Sequence, residues 1–407
     1  MGIDKETYLV EAEVRRLEPL LSGIKVIDLT HYIAGPYCTK LMAALGAEVI
    51  KIERPGEGDG TRKMGPFPDD RPDPERSGLF LYLNTNKRSV TLNLKTSTGI
   101  RILKDVVREA DVLVENFMPR VMPSLGLDQK TLEEINPRLV MTSISNFGQT
   151  GPYSDYKANE VTVFALGGLM ELLGDEGREP LKFGGSPGQY MAGLAAFSGS
   201  MVALHHAEKT RIGQHVDISI MECLVSCHFQ DMIEYSYTGR LLPRLRRMLV
   251  MPCKDGFVAA TVLQRQWPRL PKLVGMPELL EDPRFKTMES RRMHADELEA
   301  YILPWIIERT KEEIYHAAQA AGLSFGYIAT SEDLLKAPQY RARDFFVDID
   351  HPVAGKLTYP GIPFKIDNLS CDQSRAPLLG EHNLEIFCGR LNYSKEDLVR
   401  LRANGVI

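Results

Sequence analysis

The sequence predicts an α/β protein with a Rossmann-like large domain, built on a doubly wound parallel sheet, and a smaller α/β domain. Three observations support this fold class. Over roughly the first 150 residues, short apolar runs alternate with helical patterns. Near Arg240 a basic cluster precedes a short β pattern and amphipathic helices. The length of 407 residues suits two or three domains.

The elements of the large domain follow from local patterns. Residues 23–29 and 48–53 are short apolar runs of strand length, and the alanine-containing stretch at 34–45 between them is helical. A strand, helix, strand unit of this kind is the building block of a parallel sheet. The same patterns then predict strands at 89–94, 111–115 and 139–144, a helix at 100–110, a glycine-rich helical hairpin at 164–173 and a long helix at 192–208.

The second half of the chain sets the predicted domain boundaries. A strand at 256–261 and amphipathic helices between 295 and 321 form the smaller domain. The proline-rich, β-leaning segment at 346–364 and a terminal helix at 395–404 return to the large domain. The predicted large domain is therefore discontinuous and comprises 1–225 and 335–407, with a linker at 226–239 and the small domain at 240–330.

Charge and cysteine content exclude several classes of partner. The net charge is -5, with 49 basic and 54 acidic residues in mixed order, so no broad field attracts nucleic acid or an anionic bilayer. The six cysteines show no paired spacing, and no stretch approaches the length of a membrane span. Nothing resembles a secretory leader. We therefore expect a cytoplasmic protein with neither nucleic acid nor a membrane as partner.

Two loops invite a phosphate-binding interpretation. The turn at 31–36 lacks the spaced glycines of a dinucleotide fingerprint, which argues against a nicotinamide cofactor. The segment at 54–62 contains three glycines together with Arg54 and Arg62. It is either a phosphate-contacting loop or a surface turn.

A metal site is not predicted. Cys223, Cys227 and His228 have helical spacing, but the sequence shows neither a fourth ligand nor the loop spacing of a zinc site. Buried structural cysteines are the preferred interpretation.

Several ordinary strings occur in one fixed order, and together they resemble the family III CoA-transferases, the CaiB/BaiF family. The resemblance runs from about residue 22 to the C terminus. It implies a discontinuous large domain, a small domain, and two polypeptides threaded through each other as an interlocked-ring dimer. The strings are Asp28–Thr30, Ala34–Pro36, Leu45–Gly56, Asn86–Ser89, Asp111–Phe117, Ile135–Leu139, Lys209–Gln214 and Pro377–His382.

The resemblance also implies an acyl-CoA substrate and no permanently bound cofactor. Arg54, Lys95 and Lys157 would then supply charge for the phosphates of CoA, and Asn116 and Phe117 would line its path. For each of these residues, a surface charge or a packed aromatic ring remains the alternative.

The chain departs from the family at the nucleophile. Members carry an aspartate after a glycine, and its carboxylate attacks the thioester to form an acyl anhydride, which CoA thiolate reopens as an enzyme thioester. Gln189 occupies that position here. Because an amide has no usable anionic form, Gln189 can at best donate a hydrogen bond to an oxyanion.

Other positions of the resemblance also differ. Asn159 stands where related CoA-thioester racemases carry a histidine, and Glu160 matches an acidic position that the family commonly retains. The glycine-rich loop that covers the reacting centre should fall at about 240–256. That stretch instead contains Arg244, Arg246 and Arg247, which either hold a carboxylate or lie on a solvated face.

These departures predict a non-catalytic subunit of a heterodimeric CoA-transferase, whose homologous partner carries the aspartate. The resemblance implies transfer of CoA from an acyl-CoA such as succinyl-CoA to an acid such as (R)-benzylsuccinate, in the anaerobic breakdown of toluene. Two alternatives stay open: a homo-oligomeric protein that binds CoA thioesters without turnover, and an acyl-CoA isomerase or lyase that uses Glu160 as its base.

Overall fold

The computed structural model describes residues 18–174, 177–241, 244, 249–367, 369 and 373–407. The chain divides into two compact units. The described residues of the first unit fall within Met1–Met170, Lys182–Thr238 and Asp344–Ile407, and those of the second within Glu171–Leu181 and Gly239–Arg343.

The described strands belong to three sheets. They are β1 (Lys25–Asp28), β2 (Glu48–Glu53), β3 (Arg88–Thr91), β4 (Val112–Glu115), β5 (Val140–Ser145), β6 (His215–Ser219), β7 (Leu249–Cys253), β8 (Gly256–Ala260), β9 (Phe325–Tyr327), β10 (Phe346–His351) and β11 (Gly355–Pro360).

The α-helices range from one turn to 24 residues. They are α1 (Ala34–Ala44), α2 (Gly78–Leu83), α3 (Ser97–Val107), α4 (Val121–Ser124), α5 (Gln129–Ile135), α6 (Glu160–Leu166), α7 (Pro187–Thr210), α8 (Ile220–Val225), α9 (Phe229–Thr238), α10 (Arg269–Leu273), α11 (Met288–Met293), α12 (Ala295–Ile307), α13 (Lys311–Ala320), α14 (Ser331–Lys336), α15 (Pro338–Ala342) and α16 (Lys395–Ala403).

Short 3₁₀ helices and one π-helical turn complete the described secondary structure. The 3₁₀ helices are Gly60–Lys63, Pro68–Asp70, Leu169–Leu172, Gln264–Gln266, Pro277–Leu280 and Pro283–Phe285, and the π-helical turn is Leu384–Cys388.

The first unit is built on a six-stranded sheet in the order β3-β2-β1-β4-β5-β6. Every neighbouring pair is parallel. The strand order reverses between β1 and β4, which is the switch point where doubly wound folds bind ligands at the carboxyl ends of the strands. The predicted fold class, a mixed α/β protein with a doubly wound sheet, is confirmed.

Local sequence explains why these elements form. Strands β1 to β5 are short and largely buried, as in β5, where all six residues are buried, because helices cover a parallel sheet on each side. The edge strand β6 is only partly buried. Polar side chains cap the N-termini of helices. The Thr96 side chain accepts the Gly99 N–H as the N-cap of α3, and the Asn159 side chain accepts the Thr162 N–H as the N-cap of α6.

The C-terminal segment completes the core of the first unit. Phe387, Leu398, Val406 and Ile407 pack in one cluster with sheet residues such as Ile50. The hairpin formed by β10 and β11 packs against α2 in a separate cluster. Residues far apart in sequence therefore share one core, which explains the discontinuity of this unit.

The second unit has its own antiparallel sheet in the order β7-β8-β9. Its core contains Trp267, Phe285, Ile302 and Ile314 from the surrounding helices and turns. The capping box of Thr310 and Glu313 starts α13, as an N-terminal signature of this kind does elsewhere.

Several predicted boundaries differ from the structure. Residues 226–239, predicted as a linker, contain α9 and belong almost entirely to the first unit, whereas 171–181 belong to the second. The strand predicted at 89–94 ends at Thr91. The sequence analysis missed β6, because His215 and Asp217 break its apolar run. Among the described helices, none is both long enough and apolar enough to cross a bilayer.

Candidate functional site

The switch point of the sheet is organised by Asn116, which follows β4. Its side-chain Oδ1 accepts the His31 N–H at 2.9 Å, and its Nδ2 donates to the His31 carbonyl at 2.7 Å. This reciprocal pair fixes the loop after β1 against the loop after β4. Asn116 therefore shapes the cleft through the backbone that it holds.

Three cavities of the first unit adjoin one another along these strand ends. The first, of about 510 Å³, reaches Arg54 and Lys95, and the second, of about 480 Å³, reaches Arg54 and Asn116. The third, of about 440 Å³, reaches Asn116 and Gln189. Phe117 lines all three. The cavities consequently form one path from the outer edge of the sheet to Gln189.

Four of the five predicted CoA-contacting residues lie on this path. They are Arg54, Lys95, Asn116 and Phe117. Lys157 is exposed and lines none of the three cavities, although its neighbours Tyr156 and Ala158 line the third. Contact with CoA stays a prediction for all five residues.

Gln189 lies in the first turn of α7, which begins at Pro187. Glu160, the first residue of α6, accepts the Gly188 N–H through Oε1 at 2.9 Å. The other carboxylate oxygen of Glu160 is buried and has no hydrogen-bond partner among the described residues. The structure thus brings Gln189 and Glu160 to the wall of one cavity.

Asn159 also lines the third cavity, but its side chain is engaged in the fold. Its Oδ1 accepts the Thr162 N–H and hydroxyl, both at 3.1 Å. Asn159 is therefore the N-cap of α6, and an uncharged amide in that role cannot exchange protons with a substrate.

A buried ionic network lies beneath the cleft. Lys51 Nζ is 2.8 Å from Asp59 and 3.8 Å from Asp28, and Lys87 Nζ is 3.0 Å from Asp28. Burial alone would raise the pKa of Asp28, but Lys51 and Lys87 outweigh it and hold that pKa well below its usual range. The charges are thus mutually compensated. Lys51 also donates to the Thr30 carbonyl at 2.8 Å, which ties the network to the cleft loop.

Arg62 belongs to a second buried cluster. It is fully buried and pairs with Glu53 and Glu75, each at 2.7 Å. A Cβ added at Gly58 would lie 2.5 Å from the Arg62 side chain, so the glycine is needed for this close approach. Arg62 is consequently unable to contact a phosphate, whereas the neighbouring Arg54 is exposed.

Tyr32 is a candidate site residue that was not predicted from the sequence. It has a left-handed backbone (φ 67°) and a side chain that is 56% exposed, and it lines the second and third cavities. Asp59 Oδ1 accepts its N–H at 3.2 Å. Its position in the loop after the first strand of a doubly wound sheet is the feature of the sequence that indicates a place at the ligand cleft.

Glu115 is a buried carboxyl group at the end of β4. Burial raises its pKa to about 7, although hydrogen bonds from Ser143 and from the Phe117 N–H (2.8 Å) oppose the shift, and Asp217 adds to it. His215 also contacts the Ser143 hydroxyl at 2.9 Å. The ionised form of Glu115 is therefore costly in the folded protein.

The raised pKa of Glu115 predicts that the folded protein loses stability as pH rises. Its folded pKa exceeds the ordinary value, so stability is full below about pH 4.5 and falls as pH rises towards 7. Glu115→Gln should raise the free energy of unfolding by about 2–3 kcal/mol at pH 8 and by much less at pH 5. Urea denaturation followed by circular dichroism checks this, with the exposed Glu133→Gln as control. A gain that is equal at both pH values would contradict the assignment.

The remaining candidates fall into structural roles. The prediction of buried cysteines is wrong for this pair, since Cys227 is exposed and Cys223 is only partly buried. Cys227 Sγ contacts the Cys223 carbonyl at 3.4 Å, and His228 Nε2 lies 2.5 Å from the Gly167 carbonyl. No cluster of metal-ligating side chains occurs within the described parts of the chain. In the second unit, Arg244 donates to the Arg178 carbonyl at 2.7 Å. The other two arginines of that cluster, 246 and 247, lie outside the described residues.

The sequence and the structure of this chain are similar to those of known CoA-transferases and of a CAIB/BAIF family protein. A family model described as CoA-transferase family III matches residues 21–383. The formyl-CoA:oxalate CoA-transferase of Streptomyces avermitilis is 35% identical over 411 residues, covering 95% of this chain and 99% of the relative. The succinyl-CoA–D-citramalate CoA-transferase of Chloroflexus aurantiacus is 33% identical over 403 residues, covering 95% and 98%.

Two further proteins extend the comparison. The human succinyl-CoA:glutarate CoA-transferase is 29% identical over 415 residues, covering 98% of this chain and 92% of the relative. Among solved structures, a CAIB/BAIF family protein from Brucella suis matches with a TM-score of 0.81 and 29% identity, covering 92% of this chain and all of that chain.

Proposed function

This chain belongs to CoA-transferase family III, and on that premise we propose that it is the non-catalytic subunit of a two-subunit CoA-transferase. It pairs with a homologous chain that carries the nucleophilic aspartate. Together they move CoA from an acyl-CoA such as succinyl-CoA to a carboxylic acid, with (R)-benzylsuccinate as the specific candidate.

The position of Gln189 carries the proposal. Its amide lines the third cavity in the first turn of α7, where the family resemblance places a carboxylate. The family's cycle needs that carboxylate to displace CoA thiolate from the thioester and form an anhydride, which the thiolate then opens to an enzyme thioester and a free acid. An amide cannot perform the first displacement, so the covalent step must take place on another residue.

Glu160 does not replace the missing nucleophile in this scheme. One of its oxygens is committed to the Gly188 N–H. A carboxylate in that position neutralises the helix N-terminus and stabilises α7. We therefore assign Glu160 to shaping the cavity.

The acid is proposed to be a dicarboxylate. The relatives described above are named for oxalate, D-citramalate and glutarate, which are all dicarboxylic acids, and two of the three are named for succinyl-CoA as donor. The third cavity adds apolar walls from Ile33, Ile144 and Ile220. An acid with a large apolar substituent, as in benzylsuccinate, suits these walls.

The CoA moiety is proposed to occupy the first and second cavities, where Arg54 and Lys95 provide the cationic groups. Alanine at either position should weaken CoA binding by about 5- to 10-fold, because each change removes one charge-assisted contact with a phosphate. Isothermal titration of the purified chain with CoA and with 3'-dephospho-CoA would show which residue meets the 3'-phosphate. Lys130→Ala, an exposed lysine outside the cavities, is the control. Unchanged affinity in both cleft variants would contradict the placement.

A second function is favoured by one observation, the unpartnered buried oxygen of Glu160. A carboxylate with a free lone pair beside a substrate cavity can act as a general base, as an acyl-CoA isomerase or lyase requires. This candidate predicts turnover of an acyl-CoA by the chain alone, and loss of that turnover in Glu160→Gln.

The test of the proposed function is a transfer assay with the chain alone and co-expressed with an aspartate-bearing homologue from the same genome. Transfer from succinyl-CoA to benzylsuccinate only in the co-expressed sample supports the two-subunit enzyme. Turnover by the chain alone supports the Glu160 alternative. Tight CoA binding by a stable homo-oligomer, with no turnover under any combination, would instead identify a binding protein.

A further inference from the structure

Three aromatic rings that follow β5 in the sequence contact one another in a row, one pair edge-on and one pair stacked. They are Phe147, Tyr153 and Tyr156, here called the aromatic stack. The Phe147 and Tyr153 ring centroids are 5.9 Å apart with planes at 70°, and those of Tyr153 and Tyr156 are 5.0 Å apart with planes at 25°. Phe147 is 7% exposed, whereas Tyr156 is 58% exposed. The stack is therefore rooted in the core and presents its outer ring to the surroundings.

The aromatic stack is held in place at both ends of its segment. Asn146 donates to the Ala158 carbonyl at 3.1 Å, which closes the segment on itself. The Gln149 N–H donates to the Asp217 carboxylate at 3.0 Å, which fastens the segment to β6. Tyr156 N–H also donates to the Tyr153 carbonyl at 2.8 Å. The outer ring is thus positioned before any ligand arrives.

Tyr156 lines the third cavity together with Gln189. The polar side chains of this cavity are mostly engaged, since Asn116 holds the His31 backbone and Asn159 caps α6. The Gln189 amide and the unpartnered buried oxygens of Glu160 and Ser145 remain as its polar groups. The cavity therefore combines these polar groups with apolar walls and with the rings of Tyr32, Phe117 and Tyr156.

We propose that the aromatic stack is the subsite for an aryl substituent on the acyl group of the CoA thioester, with Tyr156 as the contacting ring. The inference rests on the proposed function, because it requires a CoA thioester in this chain's cleft. Aromatic rings gain most from offset-stacked or edge-on neighbours at about 4.5–7 Å. A ligand ring would extend a stack that already has this spacing, whereas an alkyl group gains only apolar burial.

The test compares two ligands of nearly equal size that differ in aromaticity, 3-phenylpropanoyl-CoA and 3-cyclohexylpropanoyl-CoA. Both are titrated calorimetrically into the full-length chain, together with succinyl-CoA as a ligand without a ring. Tyr156→Leu should lower the affinity for the phenyl ligand by about 5-fold and that for the cyclohexyl ligand by less than about 2-fold. The affinity for succinyl-CoA should be unchanged. Tyr156→Phe should retain the wild-type preference, because it keeps the ring.

Tyr237→Leu removes an exposed tyrosine of α9 outside the cavity and serves as the matched control. Equal weakening of both ring-bearing ligands, or no weakening of either, in a Tyr156→Leu variant that still binds succinyl-CoA would overturn the aryl subsite alone. Failure of the wild-type chain to bind any of the three thioesters would overturn the proposed function together with this inference.

Discussion

Gln189→Ala should leave the turnover of the two-subunit enzyme within about 10-fold of wild type, because an uncharged amide cannot form the acyl anhydride. Replacing the nucleophilic aspartate of the partner chain by alanine should instead lower turnover by at least about 1,000-fold, as expected when a covalent nucleophile is removed. The measurement is kcat for transfer from succinyl-CoA, with both variants prepared as the same co-expressed complex.

The modest effect expected for Gln189→Ala has a physical basis. The amide can donate one hydrogen bond into the third cavity, and the loss of a neutral hydrogen bond usually costs about 0.5–1.5 kcal/mol. Ser186→Ala, at the N-cap position of the same helix, controls for local disturbance of α7, since no side-chain capping bond is lost there. A loss of more than about 100-fold in Gln189→Ala would show that Gln189 itself takes part in the chemistry.

Lys51→Met is expected to lower the free energy of unfolding by about 3–5 kcal/mol, because it leaves the buried Asp59 without its cation and Asp28 with Lys87 alone. Lys51, Asp28 and Asp59 are all fully buried, and the substitution also removes the hydrogen bond to the Thr30 carbonyl. Denaturant unfolding followed by circular dichroism measures this effect. Both tryptophans lie in the second unit, so their fluorescence reports on that unit.

The same variant carries a pH signature. Lys51 and Lys87 hold the pKa of Asp28 below its ordinary value, so the stabilisation is present above about pH 4 and is lost as pH falls further. The deficit of Lys51→Met should therefore be largest near neutrality and shrink in acid. Lys25→Met, which breaks the exposed pair of Lys25 with Glu109, should cost less than about 1 kcal/mol. A similar cost for both variants would show that burial does not govern the strength of this network.

The parts of the fold that sequence predicted best are those with strong local patterns. The strand at 48–53 was placed at its observed bounds because the β-branched residues Val49, Ile50 and Ile52 follow directly on the predicted helix at 34–45. Strand β6 was not predicted because only Val216 and Ile218 of its five residues are apolar, so its local pattern is not that of a buried strand. Pairing with β5 makes it a strand, and pairing is a tertiary property that a local pattern does not record.

The candidate site also depends on tertiary contacts that local sequence patterns do not show. Arg54 and Arg62 are eight positions apart in one loop, and their types alone suggest the same role. The structure separates them, since Arg62 is fully buried with Glu53 and Arg54 is exposed at the cleft. Which arginine turns inwards depends on Glu53 and Glu75, whose arrangement only the fold provides. The approach of Tyr156 to the cavity of Gln189 is likewise a tertiary effect, because the packing of α7 against β5 and α6 brings their segments together.

The family assignment depended less on geometry. The ordered strings predicted family III, and the match of the family model over residues 21–383 confirmed it. The division of labour between two chains stays a proposal, because it depends on one substitution, Gln189, and on a partner chain.

One measurement tests that division most directly. The co-expressed complex is incubated with succinyl-CoA alone, denatured in acid, and each chain is weighed by mass spectrometry. We expect the partner chain to gain CoA in thioester linkage at its aspartate, with loss of water, while this chain keeps its unmodified mass. A CoA or acyl adduct on this chain, at Glu160 or at any other residue, would contradict it.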